Sequence, residues 1–432
     1  LPISYGMSYS DKARAFLSKH GMAPESIDLE SAVAAFLDEM TAGLSGREST
    51  LRMLPTYLSA EGTLPLARPA AVIDAGGTNF RSALVTFTPS GPIVEGYRLS
   101  PMPGSAGPVS WDEFIAFTAD RLLPLLPRAE TVGFCFSYPT EETPYRDGRL
   151  IALTKQIVLT GFEGRLICRD LRARLAQLGA GERQITLLND TPAVLLSGVC
   201  TASRGKYSGL SGLICGTGTN TCCDLPVAAI GKLGRDFSGR MLVNLESGGF
   251  SRLPRGDYDE ELDRATSDPG AQQLEKMTSG AYIGELCRLT LRGAAAEGLF
   301  SAPFAERIFA LRSLSAQEAD RLASGACADL EAGSDRSLAS ELCRALIHRA
   351  ARCVCSNLSA ILLLTDTGNN PEHPACVCAD GAVFTRGLTF RPALEELMSR
   401  FPAERLGRHA VFHTAANATM LGSAAAALLN IK

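Results

Sequence analysis

The sequence predicts an α/β protein in which two similar units face one cleft. Short apolar runs that indicate strands alternate with longer segments that indicate helices along the 432 residues. Two of the strands are followed by turns rich in Gly and Thr, at residues 75–79 and 216–220. Alternating strands and helices are typical of the α/β class, and two such turns favour paired units around a shared cleft.

The first sixty residues are predicted to be mainly helical. Ser10 is suited to cap a helix that continues to Lys19, and apolar side chains recur at helical spacing over residues 29–44. The pattern then changes. An apolar run at residues 70–74 leads into the first Gly-rich turn, and strand character returns over residues 81–87. This arrangement indicates a β-hairpin.

Further strands and helices follow along the chain. A helix is predicted to begin near Pro192, with proline in its first turn. Residues 257–350 are predicted to be mainly helical, and residues 422–429 form an Ala-rich helix. Four more apolar runs predict strands, at residues 132–136, 184–188, 210–215 and 375–379.

Composition excludes several classes of protein and names no function. With 42 basic and 46 acidic residues the net charge is −4, which provides no basic surface for nucleic acid or an anionic membrane. We expect no transmembrane helix, no signal peptide and a cytoplasmic location, because apolar runs of the required length and pattern are missing from the sequence. The thirteen cysteines are scattered and lack zinc-ligand spacing, which predicts reduced thiols.

The turn after the first strand has the components of a phosphate site. Its glycines let backbone N–H groups approach a phosphate closely, and its Thr and Asn add side-chain donors. Asp74, at the end of the strand, is suited to hold Mg²⁺ through water. The turn is neither a P-loop nor a dinucleotide fingerprint, and a plain glycine hairpin is the alternative interpretation. The residues concerned are Gly76, Gly77, Thr78, Asn79 and Arg81.

A second turn and one carboxylate complete the chemical pattern. The second turn consists of Gly216, Thr217, Gly218 and Thr219, and two such turns fit a nucleotide held between hairpins. Asp190 directly follows the strand at residues 184–188, where a carboxylate could act as a general base. Phosphoryl transfer to an alcohol needs such an acceptor for the hydroxyl proton. Spacing alone leaves open that Asp190 is instead a helix N-cap.

Together these motifs resemble the hexokinase family over nearly the whole chain. The order and spacing of the motifs are shared, not only their composition. The matching segments are residues 36–57 of the helical lead-in, the first phosphate motif DAGGTNFR at 74–81, the sugar segments FSYP at 136–139 and LTK at 153–155, the catalytic loop NDT at 189–191, the second phosphate motif at 216–220, NLE at 244–246, residues 268–277, and ADGAV at 379–383.

The resemblance implies a role for each matching residue. Asp190 would be the base that takes the proton of the sugar 6-hydroxyl, and Lys155 would supply positive charge to the phosphoryl group. Asp74 would lie in the Mg²⁺ shell through water. The sugar hydroxyls would be held by Ser137, Thr154, Lys155, Asn189, Asp190, Asn220, Glu246, Gln272 and Glu275. ATP would be bound by Gly76, Gly77, Thr78, Asn79, Arg81, Gly216, Thr217, Gly218, Thr219 and Gly381.

The resemblance also implies an architecture and an activity. The fold would be the two-lobed actin-like ATPase (ribonuclease H-like) fold, with a small domain at 66–196 plus 419–432 and a large domain at 1–65 plus 197–418. The protein would be an ATP- and Mg²⁺-dependent hexokinase of the first step of glycolysis, with glucose as the favoured hexose. We expect a monomer or homodimer with no nucleic-acid or membrane partner.

Several positions depart from the family pattern and leave alternatives open. Leu153 stands where the family has Trp, Gln156 and Ile157 replace Gly-Phe, Pro192 and Ala193 replace Val-Gly, and Ser247 and Gly248 replace Trp-Gly. These changes bear on sugar specificity more than on the reaction. One alternative is a hexokinase-like sugar sensor with little turnover. Another is a repressor-related glucokinase, which would require a Cys-rich zinc motif.

Overall fold

The computed structural model describes residues 9–77, 79–151, 157–202, 205–234, 236–326 and 333–430. These residues contain fifteen strands and fourteen α-helices. In chain order the strands are β1 (Leu54–Pro55), β2 (Pro69–Ala75), β3 (Asn79–Thr88), β4 (Gly91–Pro101), β5 (Val109–Ser110), β6 (Thr131–Phe136), β7 (Thr140–Glu142), β8 (Gly148–Leu150), β9 (Leu159–Thr160), β10 (Gln184–Leu188), β11 (Leu210–Cys215), β12 (Thr219–Pro226), β13 (Arg240–Asn244), β14 (Ala375–Asp380) and β15 (Ala410–His413).

The helices follow the same numbering. They are α1 (Asp11–Lys19), α2 (Leu29–Ser45), α3 (Trp111–Leu122), α4 (Ile167–Gln177), α5 (Asp190–Thr201), α6 (Asp257–Ala265), α7 (Gln273–Thr278), α8 (Ile283–Ala296), α9 (Ala302–Ala310), α10 (Ala316–Ala323), α11 (Ser334–Leu364), α12 (Ala382–Thr385), α13 (Phe390–Phe401) and α14 (Ala418–Leu429). Among the described helices, none combines the length and apolar character needed to cross a bilayer.

A five-stranded sheet carries the first Gly-rich turn and the end of β10. Its strand order is β10-β6-β2-β3-β4, with β10, β6 and β2 parallel and β3 and β4 antiparallel to their neighbours. The predicted hairpin is confirmed as β2 and β3, and its register places Asp74 opposite Arg81. Because β2, β6 and β10 are parallel, their carboxyl ends meet at one edge. Asp74 lies near the end of β2, and Ser137 and Asn189 directly follow β6 and β10.

A six-stranded sheet carries the second turn. Its order is β1-β13-β12-β11-β14-β15, and the turn at residues 216–218 joins the antiparallel strands β11 and β12. Strand β14 runs parallel to β11 and pairs Asp380 with Ile214. This pairing brings Gly381 to the second turn.

Apolar side chains fill both sides of the smaller sheet. One face packs on α3 and α4 through residues such as Trp111, Phe114 and Leu171. The other face packs on α5 and the Ala-rich α14. On its opposite side α5 packs against β11 of the larger sheet, so this helix lies between the two sheets. The larger sheet forms its own core with helices that include α2, α11 and α13.

Most helices and strands predicted from the sequence are present in the structure, and two predictions differ from it. Helix α5 begins at Asp190, and its N-cap is Asn189, so the alternative in which Asp190 caps the helix is wrong. The prediction of a mainly helical segment to residue 60 holds only as far as Ser45, because β1 and irregular backbone follow. All twelve described cysteines are free thiols, and eleven of them are buried, as expected for reduced thiols.

Close packing of α14 on α5 depends on Gly422. A Cβ atom at this position would lie 1.7 Å from the carbonyl oxygen of Ala193, and this backbone atom cannot move aside. We therefore expect Gly422→Ala to lower the free energy of unfolding by about 3 kcal/mol, at the upper end of the usual cost of overpacking. Urea unfolding followed by circular dichroism measures this loss.

Gly234 provides the matched control for that substitution. It is exposed, and a Cβ atom added there would meet no heavy atom within 4 Å. We expect Gly234→Ala to change the unfolding free energy by less than about 0.5 kcal/mol. Equal stability of the two variants would show that α14 and α5 do not pack as described.

Candidate active site

Asp74 is a buried carboxylate at the end of β2, and only one of its oxygens is paired. Oδ2 accepts hydrogen bonds from Arg81 Nη2 at 2.6 Å and from Thr419 Oγ1 at 2.7 Å. Oδ1 is buried and has no hydrogen-bond partner among the described residues. Burial raises the pKa of Asp74, while Arg81 and Thr419 oppose that rise. A water molecule bound to Mg²⁺ would suit the unpaired oxygen.

The first turn is held by a backbone bond within the hairpin and by two bonds from the segment after β6. The Gly76 N–H donates to the Asn79 carbonyl oxygen at 3.0 Å, and the Tyr138 hydroxyl donates to the Gly76 carbonyl oxygen at 3.0 Å. The Ser137 N–H donates to Ala75 at 3.1 Å. These bonds fix Ser137 beside the turn, while Asn79 is exposed at its tip.

The second turn contacts two other segments, at residues 280–281 and at Gly381. The Gly280 N–H donates to the Gly216 carbonyl oxygen at 2.7 Å, and the Ala281 N–H donates to the Thr217 carbonyl oxygen at 3.1 Å. Gly381 adopts φ +102°, and a Cβ atom there would lie 2.4 Å from the Cys215 carbonyl group. Only glycine suits such a conformation and such a close approach.

Asp190 is the first residue of α5. The Asn189 side chain caps this helix by accepting the Thr191 N–H at 3.1 Å, which leaves the Asp190 carboxylate free of a capping role. Thr191 Oγ1 donates to Asp190 Oδ1 at 3.2 Å. Burial and, to a smaller extent, the negative charge of Asp190 raise the pKa of both Asp74 and Glu246.

The predicted sugar residues on the larger sheet form a chain of hydrogen bonds. Asn220 Nδ2 donates to Asn244 Oδ1 at 2.8 Å, and Asn244 Nδ2 donates to Glu246 Oε1 at 2.8 Å. Asn220 Oδ1 accepts the Ser247 N–H at 3.1 Å. Burial raises the pKa of Glu246, whereas the bond from Asn244 lowers it. Asn244 therefore sets the orientation of both Asn220 and Glu246.

Two further predicted sugar residues are Glu275, on α7, and Gln272, directly before α7. Glu275 Oε2 accepts the Thr219 N–H at 3.0 Å. A Cβ atom on Gly248 would lie 2.8 Å from Gln272 Oε1, so Gln272 lies close to the segment after Glu246. Both Glu246 and Gln272 adopt left-handed backbone conformations, with φ values of 55° and 49°. Non-glycine residues in this conformation are uncommon and concentrate at functional sites.

The positive charge of Arg81 acts on carboxylates of both sheets. Besides its bond to Asp74, its charge lowers the pKa of Asp380. Burial raises the pKa of Asp380 overall, and the charge of Asp190 adds to that rise. Arg81 is therefore bonded to Asp74 of one sheet, and its charge also reaches Asp380 at the end of β14 in the other sheet.

The structure brings together most residues predicted from the sequence and adds others. Thr78, Thr154 and Lys155 lie outside the described residues. The sequence assigned no role to Thr419, and Asp380 and Asn244 appeared only as parts of the motifs at 379–383 and 244–246. Thr419 is 345 residues from its partner Asp74, and no local pattern signals such a pairing. Within the described ranges, no group of three or more His, Cys, Asp or Glu residues is arranged to hold a metal ion directly.

Comparison with known proteins identifies the family. Two family models described as hexokinase match residues 15–200 and 210–429. The chain belongs to the hexokinase family. Members of this family are ATP-dependent hexose kinases, so the protein is an enzyme of that class.

Curated hexokinases align over most of the chain. Hexokinase-1 of Oryza sativa subsp. japonica is 28% identical over 92% of this chain and 86% of its own length. Hexokinase-1 of Nicotiana tabacum is 29% identical over 93% of this chain and 88% of its own. Human Hexokinase-3 is 30% identical over 80% of this chain but only 39% of its own length.

Solved hexokinase structures share the fold. The Schistosoma mansoni hexokinase, determined in complex with glucose, superposes with a TM-score of 0.76 over 96% of this chain and 99% of that chain, at 21% identity. A glucokinase from an Antarctic psychrotroph gives a TM-score of 0.52 over 83% and 98% of the two chains, at 16% identity. The predicted actin-like ATPase fold is confirmed.

Proposed function

We propose that this hexokinase transfers the γ-phosphoryl group of ATP to the 6-hydroxyl of a hexose, with glucose favoured, as in the first step of glycolysis. The observation that carries the proposal is the position of Asp190. Its carboxylate has no capping role, and its charge acts on both Asp74 of the phosphate turn and Glu246 of the predicted sugar group. The proposal includes a cytoplasmic monomer or homodimer.

Asp190 would act as the general base. A hexose 6-hydroxyl beside it would lose its proton to the carboxylate as the oxygen attacks the phosphorus atom. Phosphoryl transfer otherwise depends on positioning and charge stabilisation, which Arg81 and Lys155 would supply. Arg81 is suited to this role because it is 30% exposed while still bound to buried Asp74.

Asp74 would support Mg²⁺ through a bound water. The unpaired, buried Oδ1 atom is the feature of the structure that fits this role. When bound with ATP, Mg²⁺ neutralises charge on the phosphate oxygens. The two turns, with Gly76, Gly77, Thr78 and Asn79 on one side and Gly216, Thr217, Gly218, Thr219 and Gly381 on the other, would hold the nucleotide.

Sugar recognition would rest on carboxylate and amide groups. Asn220, Glu246 and Glu275 are oriented by the hydrogen bonds described above, which holds these side chains in place to bind sugar hydroxyls. A site built to bond hydroxyl groups discriminates strongly against analogues that lack them. Ser137, Thr154, Lys155, Asn189 and Gln272 would complete the set.

We further propose that residues 66–196 plus 419–432 form one lobe and residues 1–65 plus 197–418 the other. Closure of the lobes around a sugar would exclude water and protect ATP from hydrolysis. The packing of α14 against α5, β6 and β2 supports assigning the C-terminal helix to the smaller lobe.

A coupled assay of ADP release tests the proposed function. Glucose, fructose, mannose and glucosamine would each be supplied with ATP and Mg²⁺, and glucose with other phosphoryl donors. We expect turnover with ATP and the highest kcat/KM with glucose. Tight glucose binding by calorimetry without turnover on any sugar would contradict the proposal and favour a sugar sensor.

A further inference from the structure

Lys276 is a buried cation on α7, next to Glu275, and the sequence motifs assign it no role. Only 4% of its side chain is exposed. Its Nζ atom donates to Oδ1 of Asp263 on α6 at 2.7 Å and to the carbonyl oxygen of Asp268 at 2.8 Å. A buried ammonium group is costly without such partners. These bonds therefore hold α7 against α6 and against the segment that precedes α7.

The segment before α7 is a tight turn that Asp263 holds from its other end. Pro269 and Gly270 are its central residues, and Gly270 adopts φ +84°. The Ala271 N–H donates to the Asp268 carbonyl oxygen at 3.1 Å, as in a type II turn. The Gly270 N–H donates to the Asp263 carboxylate, 2.9 Å from Oδ2 and 3.1 Å from Oδ1. Two of the four residues of the turn are thus bonded to the buried ion pair.

Gln272 directly follows this turn, and its backbone needs support from its surroundings. It adopts φ 49°, and the residue is exposed, so packing of its own side chain does not fix this conformation. Left-handed backbone at a residue other than glycine persists only where neighbouring structure holds it. The turn at 268–271 supports Gln272 from one side. On the other side its carbonyl oxygen accepts the Lys276 backbone N–H at 2.9 Å.

The same ion pair also reaches Glu275 through α7. Glu275 precedes Lys276, and its Oε2 atom accepts the Thr219 N–H of the second turn at 3.0 Å. Helix α7 has only six residues, so tertiary contacts fix its orientation more than its own hydrogen bonds do. The bond between Lys276 and Asp263 is such a contact. A shift of α7 away from α6 would therefore move Glu275.

The Asp263 carboxylate is kept ionised by the groups that it joins. Burial raises its pKa, but the bonds from Lys276 and from the Gly270 N–H lower that pKa overall. Arg255, which precedes α6, adds a second cation, with Nη1 3.5 Å from Oδ2. One charged side chain thus connects α6, α7 and the turn between them.

We propose that Asp263 and Lys276 are positioning residues for hexose binding. Together they hold the turn at 268–271 and α7, and through these elements they place Gln272 and Glu275. The inference rests on the proposed function, since it takes Gln272 and Glu275 as sugar-binding residues. A pair that acts in this way affects binding of the hexose and not the proton transfer, so hexose affinity should fall while kcat is retained.

Lys276→Met is the test, because it keeps the length of the apolar stem and removes the three donors. We expect the hexose KM and the calorimetric hexose Kd to rise about tenfold or more, as for lost hydrogen bonds to a charged group, with kcat within about threefold of the wild type. Lys276→Arg restores a cation with several donors and should recover most of the affinity. A wild-type hexose KM in Lys276→Met would overturn the inference.

Combining Asp263→Leu with Lys276→Met separates positioning from stability. Apolar residues of similar volume tolerate burial without a partner, so the urea midpoint should return toward the wild-type value. The hexose Kd should stay raised, because the Gly270 N–H has lost its acceptor. Recovery of hexose affinity together with the urea midpoint would show that the pair only stabilises the fold, and would overturn the inference.

Arg349→Met is the matched control. Arg349 bonds to Asp259, also on α6, and to the Pro254 carbonyl oxygen at 3.3 Å, and both partners lie outside the turn at 268–271. This variant should lower the urea midpoint but leave the hexose Kd within about twofold of the wild type. A Kd raised as much as in Lys276→Met would overturn the inference.

The wild type distinguishes failure of the inference from failure of the proposed function. Turnover of a hexose by the wild type, with an unchanged hexose KM in Lys276→Met, overturns the inference alone. If the wild type binds a hexose without turnover, the proposed function fails, and the calorimetric Kd values decide the role of the pair. A wild type that neither binds nor turns over a hexose overturns both.

Discussion

Asp190→Ala is expected to lower kcat by about 10² or more while sugar binding and folding persist. The variant removes the group that would accept the hydroxyl proton, and no other carboxylate can take its position. Asp74 is bound to Arg81 and Thr419, and Glu246 is bound to Asn244. The Asn189 cap of α5 stays in place, so the helix should still form.

Steady-state kinetics and calorimetry of hexose binding measure the two parts of this prediction. Asp190→Asn should behave like Asp190→Ala, because the amide keeps the shape of the side chain but does not accept the proton. Asp11→Ala is the matched control, since Asp11 is also the first residue of a helix with its own side-chain cap. Near-normal kcat in either Asp190 variant would rule out Asp190 as the base.

Asp259→Ala is expected to lower the free energy of unfolding by about 3–5 kcal/mol, the cost of leaving a buried charge without its partner. Arg349 on α11 and Asp259 on α6 expose only 2% and 3% of their side chains. Nη1 of Arg349 donates to Oδ1 of Asp259 at 3.0 Å, and Nη2 donates to Oδ2. Burial alone would lower the pKa of Arg349, but the Asp259 carboxylate raises it above the ordinary value.

Urea unfolding measures this loss, and two further variants define its cause. Combining Asp259→Leu with Arg349→Met should recover much of the stability, because apolar residues of similar volume tolerate burial without a partner. Glu130→Ala breaks the exposed ion pair with Arg68 and should cost less than about 1 kcal/mol. A loss in Asp259→Ala no larger than in Glu130→Ala would contradict the assignment of a buried, mutually dependent pair.

Local patterns in the sequence were sufficient to predict the strands that are buried on both faces. β2, β6 and β11 are short and almost entirely buried, so they stand out as apolar runs between turns. Strand β4 was missed because most of its residues are exposed and its sequence lacks an apolar run. Strand β7 was missed because three residues carry too little pattern to be detected.

For the candidate site, local sequence indicated residue types and their order but not their partners. The two turns and the Asn189–Asp190 loop are continuous segments, so their motifs were visible directly. Which residue caps α5 was not visible, because Asn and Asp are equally suited to that position. The backbone conformation and the 3.1 Å bond from Thr191 assign the cap to Asn189 and leave Asp190 free.

Local sequence patterns predicted the alternation of strands and helices, the two Gly-rich turns and the motifs that indicate the hexokinase family, because each of these features depends on residues close together in the chain. The partners of the buried carboxylates became visible only in the folded structure. Thr419 reaches Asp74 across 345 residues, and Arg349 pairs with Asp259 across 90 residues. Burial and neighbouring charge set the protonation and orientation of these groups, and both arise from contacts that form only when distant segments fold together.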